Sequence, residues 1–236
     1  MRTARAVDGV LFDKDGTLFD FSATWDVWAD GLLRDLSQGD AGRLDALADA
    51  AGYDLENRRF RRHSRVIAGT NREAAECLAP VLEGWTLEEI EARLMVSSAK
   101  APLRPAVPLP PLLDALAALD LRLGVMTNDT EYGARAHLRS AGVEHRFHFI
   151  AGFDSGYGAK PAPGPLLAFA RSQTLDPSRV VMVGDSRHDL IAGRAAGMAC
   201  VGVLTGPART EDLADLADAV LPDIGHLPDW IAGVTG

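Results

Sequence analysis

Short apolar runs alternating with stretches of helical period constrain the fold of this chain more than any other feature. The runs are Val10-Leu11-Phe12, Leu123-Gly124-Val125-Met126, Phe149-Ile150-Ala151, Val180-Val181-Met182-Val183 and Cys200-Val201-Gly202-Val203. None shows the polar alternation of a half-exposed strand, so each reads as a strand buried on both faces. Between them, Leu112 to Leu119, Tyr132 to Ala141, Pro165 to Gln173 and Asp189 to Ala196 carry apolar residues at helical spacing. Strands alternating with helices predict an α/β fold with a doubly wound parallel sheet. From about Phe21 to Ala99 the pattern changes to amphipathic helices without a strand-like run, beginning with Trp25, Trp28, Leu32, Leu33 and Leu36. A Rossmann-like core is therefore expected over residues 1–19 and 100–236, with a helical insert over residues 20–99. The joints fall at Leu18 to Ser22 and at Lys100 to Pro105, where proline interrupts helix formation.

With 236 residues, 47% of them apolar, the chain can bury a large core. Its formal net charge of -9 provides no global positive field for nucleic acid or anionic lipid, so neither is expected as a partner. An anionic substrate must then be attracted by local cations. Cys77 and Cys200 lie far apart and outside metal-ligand spacings, which argues against a disulfide framework or a zinc site and for two buried apolar thiols. Residues 1–8 lack the apolar stretch of a signal peptide or membrane span, so a cytoplasmic enzyme is expected.

Ligands of open α/β sheets collect beyond the carboxyl ends of the strands, and four polar clusters fall there. The first is Asp13-Lys14-Asp15-Gly16-Thr17. In extended backbone Asp13 and Asp15 project to one side and Lys14 to the other, so two carboxylates share a small space that needs a cation or a shared proton. Oxygen ligands with phosphate as co-ligand favour magnesium, Mg2+. Gly16 permits a sharp turn that brings N–H groups close to the ligand. An ordinary Asp-Gly turn would explain Asp15 and Gly16 but not the whole segment. Thr127-Asn128 offers a hydroxyl and N–H groups to an anion, although such pairs also form plain turns. Lys160, before Pro161, can neutralise phosphate charge, although most lysines of glycine-rich loops are simply solvated. Asp185 and Asp189 share a face if the first turn of the following helix begins there. Helix capping explains one of them, and metal ligation, direct or through water for Asp189, better explains the pair.

In this order the clusters resemble the signature of the haloacid dehalogenase-like superfamily of phosphohydrolases: D-x-D-G-T, Thr/Ser-Asn, Lys-Pro and G-D-x-x-x-D. The resemblance covers about residues 7–20 and 100–225, and the insert matches the helical cap placed after the first motif in phosphoglycolate phosphatase-like members. Asp20 keeps the acidic residue that often follows that motif, whereas Phe21 stands where serine is frequent and Lys14 where an apolar residue is usual. The resemblance implies a magnesium-dependent hydrolase of a small phosphorylated metabolite, phosphoglycolate first, working as a monomer or homodimer. It implies that Asp13 attacks phosphorus and that Asp15 protonates the leaving oxygen and then activates water. It further implies that Asp13, the Asp15 carbonyl and Asp185 hold the metal with Asp189 in support, and that Gly16, Thr127, Asn128 and Lys160 bind the phosphoryl group. Haloacid dehalogenases themselves lack the second carboxylate, so the presence of Asp15 argues against dehalogenation.

The insert is rich in arginine, with Arg58, Arg59, Arg61, Arg62, Arg65 and Arg72 near His63. A solvated basic face is the ordinary explanation, but Arg62, Arg65 and Arg72 are candidates to clamp a substrate carboxylate. His63 is expected at the surface, His145 and His148 beside a strand without a catalytic role, and Trp25 and Trp28 inside the insert. Two rival functions remain. A phosphomutase of the beta-phosphoglucomutase type would shield an aspartyl-phosphate from water and reorient a sugar bisphosphate. A non-catalytic phosphate-binding module would be marked by loss of Asp13, Asp15, Thr127, Lys160 or Asp185, and all five are present.

Overall fold

The structure, a computed structural model, describes residues 7–62 and 64–235, so His63 lies outside the described residues. Strand β1 (Gly9–Phe12) leads through a one-turn π-helix (Ser22–Asp26) into α1 (Val27–Ser37), α2 (Ala41–Ala51), β2 (Tyr53–Asp54), β3 (Arg59–Phe60), α3 (Asn71–Leu78) and α4 (Leu87–Ser98). The chain continues with α5 (Leu109–Ala117), β4 (Arg122–Met126), α6 (Glu131–Ser140), β5 (Phe149–Ala151), α7 (Gly164–Ser172) and β6 (Val180–Gly184). It ends with α8 (Arg187–Ala195), β7 (Ala199–Val203), α9 (Thr210–Leu213), β8 (Ala219–Leu221) and α10 (Leu227–Thr235). No helix among the described residues is long and apolar enough to cross a membrane.

Six parallel strands form one sheet in the order β5-β4-β1-β6-β7-β8. β1 lies between β4 and β6, with Phe12 level with Val125 and Val183, so the first, second and fourth polar clusters leave the sheet side by side at its carboxyl edge. The alternation of side chains along each strand divides the core in two. Val10, Phe12, Val125, Val181 and Val183 pack with Leu113, Leu138 and Ile231 on one face. Leu11, Met126 and Met182 pack with Leu166, Phe169 and Met198 on the other. Burial on both faces is why these strands read as unbroken apolar runs.

The elements from α1 to α4 gather around a separate apolar cluster that includes Leu33, Leu47, Tyr53, Leu78, Ile90 and Leu94. Their starts are locally encoded: Asp40 caps α2, and capping boxes Thr70/Glu73 and Thr86/Glu89 open α3 and α4. Contrary to expectation, the insert is not wholly helical, because β2 and β3 pair as a short antiparallel hairpin. Two residues per strand are too few to show a period. The chains entering and leaving the insert run side by side, joined by Asp20 N–H to Arg104 O (2.8 Å) and Ala106 N–H to Leu18 O (3.0 Å). Cys200 is buried and Cys77 only partly so.

Candidate active site

Asp13 follows β1, Asp185 follows β6, and Asp189 lies in the first turn of α8. One carboxylate oxygen from each lies within 4.8 Å of the others. Lys160, from the loop after β5, reaches this group: its Nζ donates to Asp13 Oδ1 at 2.7 Å, to Asp189 Oδ1 at 2.6 Å and to Met126 O at 2.9 Å. Burial pushes the Asp13 carboxyl up to about 7 and Asp189 and Asp15 add to the rise, with Lys160 opposing it. Burial likewise holds Asp185 well above the usual carboxylate range, reinforced by Asp13 and Asp189. Burial works against the Lys160 ammonium, but Asp13 and Asp189 outweigh it and raise its pKa. When ionised, three buried carboxylates exceed the charge of one ammonium, and an all-oxygen cluster of this kind can hold a hard divalent cation.

The structure corrects the expected crowding within the first motif. The backbone turns at once after β1: Leu18 and Phe19 N–H both return to Lys14 O, at 2.9 and 3.1 Å. The side chain of Asp13 therefore points to Asp185, Asp189 and Lys160, while Asp15 turns to Lys14. Both Asp15 oxygens lie 3.0 Å from Lys14 Nζ. Asp13 and Asp15 still line the same cavity, together with Thr127, Asn128, Lys160, Asp185 and Asp189.

The phosphate-site candidates divide. Thr127 Oγ1 accepts from Asp129 N–H at 3.1 Å and keeps its own hydrogen to donate. Asn128 clamps the main chain of Lys160, accepting from its N–H at Oδ1 (2.9 Å) and donating through Nδ2 to its carbonyl (2.9 Å). The second Nδ2 hydrogen goes to Ala68 O in the insert at 3.1 Å, so both amide hydrogens are engaged by main-chain carbonyls, one of them that of Lys160. The N–H of Gly16 is also engaged, donating to Phe19 O at 2.7 Å. Glycine is required at this position because φ is +77° and any Cβ would run into the Asp185 carboxylate.

The candidate clamp is not assembled. Arg62 pairs with Asp212 of α9 at 2.7 Å, Arg72 with Glu91 of α4 at 2.9 Å, and Arg65 is exposed; none of the three lines the cavity. The insert instead contributes Phe21, Trp25, Trp28, Phe60, the loop from Val66 to Thr70 and Asn71 at the start of α3. Trp28 packs against the insert's apolar cluster as expected, with Nε1 donating to Ser97 Oγ at 2.9 Å. Trp25 leaves that interior and stands over Lys14 Nζ, 5.3 Å from ring centre to nitrogen. His145 and His148 are exposed and outside the cavity, and His148 Nδ1 accepts from Leu123 N–H at 3.1 Å.

Three groups behind the site were not visible in the sequence. Gly206, in the loop after β7, lies so close to Asp185 that a Cβ would occupy the carboxylate's position. Thr205 Oγ1 donates to Gly16 O at 2.6 Å and ties that loop to the first motif. His137 on α6 connects Lys14 to the carbonyl of Ser98, with 2.8 Å on each side. A glycine after an apolar run, or one histidine within a helical pattern, is too common a signal to single out.

Residues 7–197 match the family described as haloacid dehalogenase-like hydrolase. A phosphoglycolate phosphatase of Rhodospirillum rubrum is 34% identical over 232 residues, covering 94% of this chain and 90% of its own. The crystal structure of CbbY from Rhodobacter sphaeroides in complex with phosphate superposes with a TM-score of 0.68 at 22% identity, over 94% of this chain and 96% of that one. The beta-phosphoglucomutase of Clostridium difficile has a TM-score of 0.64 at 18% identity, over 97% of each chain. At such identities the two structures speak for the fold alone. The family match and the full-length relative together place the chain in the haloacid dehalogenase-like hydrolase family, as one of its phosphatases.

Proposed function

We propose that the protein is a magnesium-dependent phosphomonoester hydrolase of a small phosphorylated metabolite, working through an aspartyl-phosphate on Asp13. The observation that carries this reading is the setting of Asp13: a buried carboxylate at the end of the central strand, held by Lys160 and facing Asp185 and Asp189. The Asp13 oxygen attacks phosphorus as the bond to the alcohol oxygen breaks, and Asp15 gives that oxygen its proton. Asp15 then takes a proton from water as the water attacks phosphorus, releasing inorganic phosphate and restoring Asp13. The Thr127 hydroxyl binds a phosphoryl oxygen, Lys160 turns the hydrogen it gives Asp13 in the free protein to another, and Asn128 fixes Lys160 for that task. Mg2+ would be held by Asp13, Asp185 and the Asp15 carbonyl with Asp189 in support, and would offset the phosphoryl charge.

Residues 20–99 act in this reading as a cap that excludes water while the bond breaks. Phosphoglycolate, the compound in the relatives' names, is the first substrate to test. The aromatic and aliphatic lining from Phe21, Trp25, Phe60, Val66 and Ile67 favours adding phosphate esters of less polar alcohols to the same panel. With Mg2+ the protein should release phosphate from at least one member, and Asp13→Asn should lower the rate at least about 10³-fold. No release from the whole panel, or full activity in Asp13→Asn, would replace this reading with the binding module. Isomerisation of a sugar phosphate without net release would replace it with the phosphomutase.

A further inference from the structure

Lys14 interrupts the pair of carboxylates in the first motif, and hydrolysis as described gives it no task. Its side chain is wholly buried, 0% exposed, where an ammonium without partners would be severely destabilised. Every hydrogen on Nζ has an acceptor: Asp15 with both oxygens at 3.0 Å, Asp129 Oδ2 at 3.0 Å and His137 Nδ1 at 2.8 Å. The face of Trp25 lies beside the ammonium, 5.3 Å from ring centre to nitrogen. No hydrogen is left for a ligand, so the group acts through its neighbours.

Those neighbours are themselves fixed. Asp129 Oδ1 accepts from Thr130 N–H at 2.7 Å. The carbonyl of Ser98 can only accept, so His137 Nε2 carries the ring hydrogen and Nδ1 offers its lone pair to Lys14. Burial, reinforced by Lys14, keeps that imidazole below its usual pKa and so neutral. The most exposed carboxylate of the cluster is Asp15, whose side chain is 16% accessible against 9% for Asp129. Trp25 and Ser98 stand at opposite ends of the insert, so the seat of Lys14 is complete only where insert and core meet.

We propose that Lys14 is a positioning residue that orients the Asp15 carboxylate toward the substrate's leaving oxygen, with Asp129, His137 and Trp25 holding Lys14 in turn. The proposal rests on the acid and base role assigned to Asp15 above. A carboxylate so held exchanges its proton with one defined point in the cavity, instead of sampling several rotamers.

Leaving-group dependence tests it. An alkyl phosphate needs its leaving oxygen protonated, whereas p-nitrophenyl phosphate expels p-nitrophenolate, a stable anion, and kcat/KM reports the step in which that bond breaks. In the full-length protein with Mg2+, Lys14→Met should lower kcat/KM for the alkyl ester about 10²-fold and for p-nitrophenyl phosphate less than about tenfold. Lys14→Arg should recover part of the alkyl activity, and Lys14→Met combined with Asp15→Asn should lose little beyond Asp15→Asn alone. Should Lys14→Met fail to fold because Asp129 is left unpaired, Lys14→Met/Asp129→Asn carries the same comparison. Equal losses on both esters, or no loss, in a folded variant overturn the proposal while Asp15→Asn alone remains selective. If Asp15→Asn itself is unselective between the esters, the acid and base reading falls and the proposal falls with it.

Discussion

A carboxylate serves as a nucleophile only while it is ionised, and the charges around Asp13 decide when that is. In the metal-free protein burial holds Asp13 near 7, far above the value of about 3.9 expected in the unfolded chain. The folded state then keeps a proton that the unfolded state releases, so the contribution of this group to stability is full below about pH 4 and is lost as pH rises through 7. Mg2+, the cation proposed for this cluster, would bind its ionised form and should reverse the decline. Thermal melts with and without Mg2+ should therefore separate progressively between pH 5 and pH 7.5, and a metal effect independent of pH would contradict the assignment. Gly206 offers a second check, because a methyl group there would displace the Asp185 carboxylate. Gly206→Ala should weaken Mg2+ activation about 10–100-fold, as read from the metal dependence of phosphate release. The motif residues were legible because several chemical types recur at fixed spacings. The fate of Arg62 was not, since its partner Asp212 is 150 residues away and nothing local distinguishes an arginine that pairs from one that meets substrate.

The first turn of α8 shows how one element supports two tasks. Asp189 Oδ2 accepts from Ser186 N–H at 3.0 Å and Ser186 Oγ at 2.6 Å, closing the helix start, while Oδ1 accepts from Lys160. Both oxygens are engaged by protein donors, so Asp189 suits metal support better than direct ligation, whereas Asp185 pairs with no cationic side chain among the described residues. Asp185→Asn should therefore weaken Mg2+ activation at least about 10²-fold and Asp189→Asn only about tenfold, and the reverse order would reassign the ligand. Among elements, the five apolar runs became β1, β4, β5, β6 and β7 to within a residue at either end. They were legible because burial on both faces removes polar residues from the strand. β8 was passed over because it is an edge strand of three half-buried residues, Ala219 to Leu221, with no such signature. Capping and metal support were equally plausible for Asp189 from spacing alone, and the structure assigns it to the helix start and to Lys160 together.

At the scale of the molecule, the insert packs around an apolar cluster of its own, apart from the sheet core, and residues of both insert and core line the cavity. Among the described residues the polar ties between insert and core include Asn128 to Ala68 O, His137 to Ser98 O, the Arg62–Asp212 ion pair and the main-chain bond from Phe21 N–H to Thr205 O. The first two are built into residues that also serve the site, so breaking them would confound closure with chemistry. Arg62 and Asp212 are clear of the cavity and partly in water, at 46% and 36% side-chain exposure, and their pair is open to screening by salt. If closure of the insert over the core limits substrate retention, the pair should act on KM and leave kcat nearly unchanged. Arg62→Glu places a second negative charge opposite Asp212 and should raise KM several-fold at low ionic strength, with the difference shrinking as salt is added. Asp212→Arg should do the same, and Arg62→Glu/Asp212→Arg, which restores opposite charges with the ends exchanged, should recover most of the wild-type KM. Steady-state kinetics of the four proteins from low to high salt distinguish this from a purely structural pair, which would move thermal stability without the crossed recovery in KM.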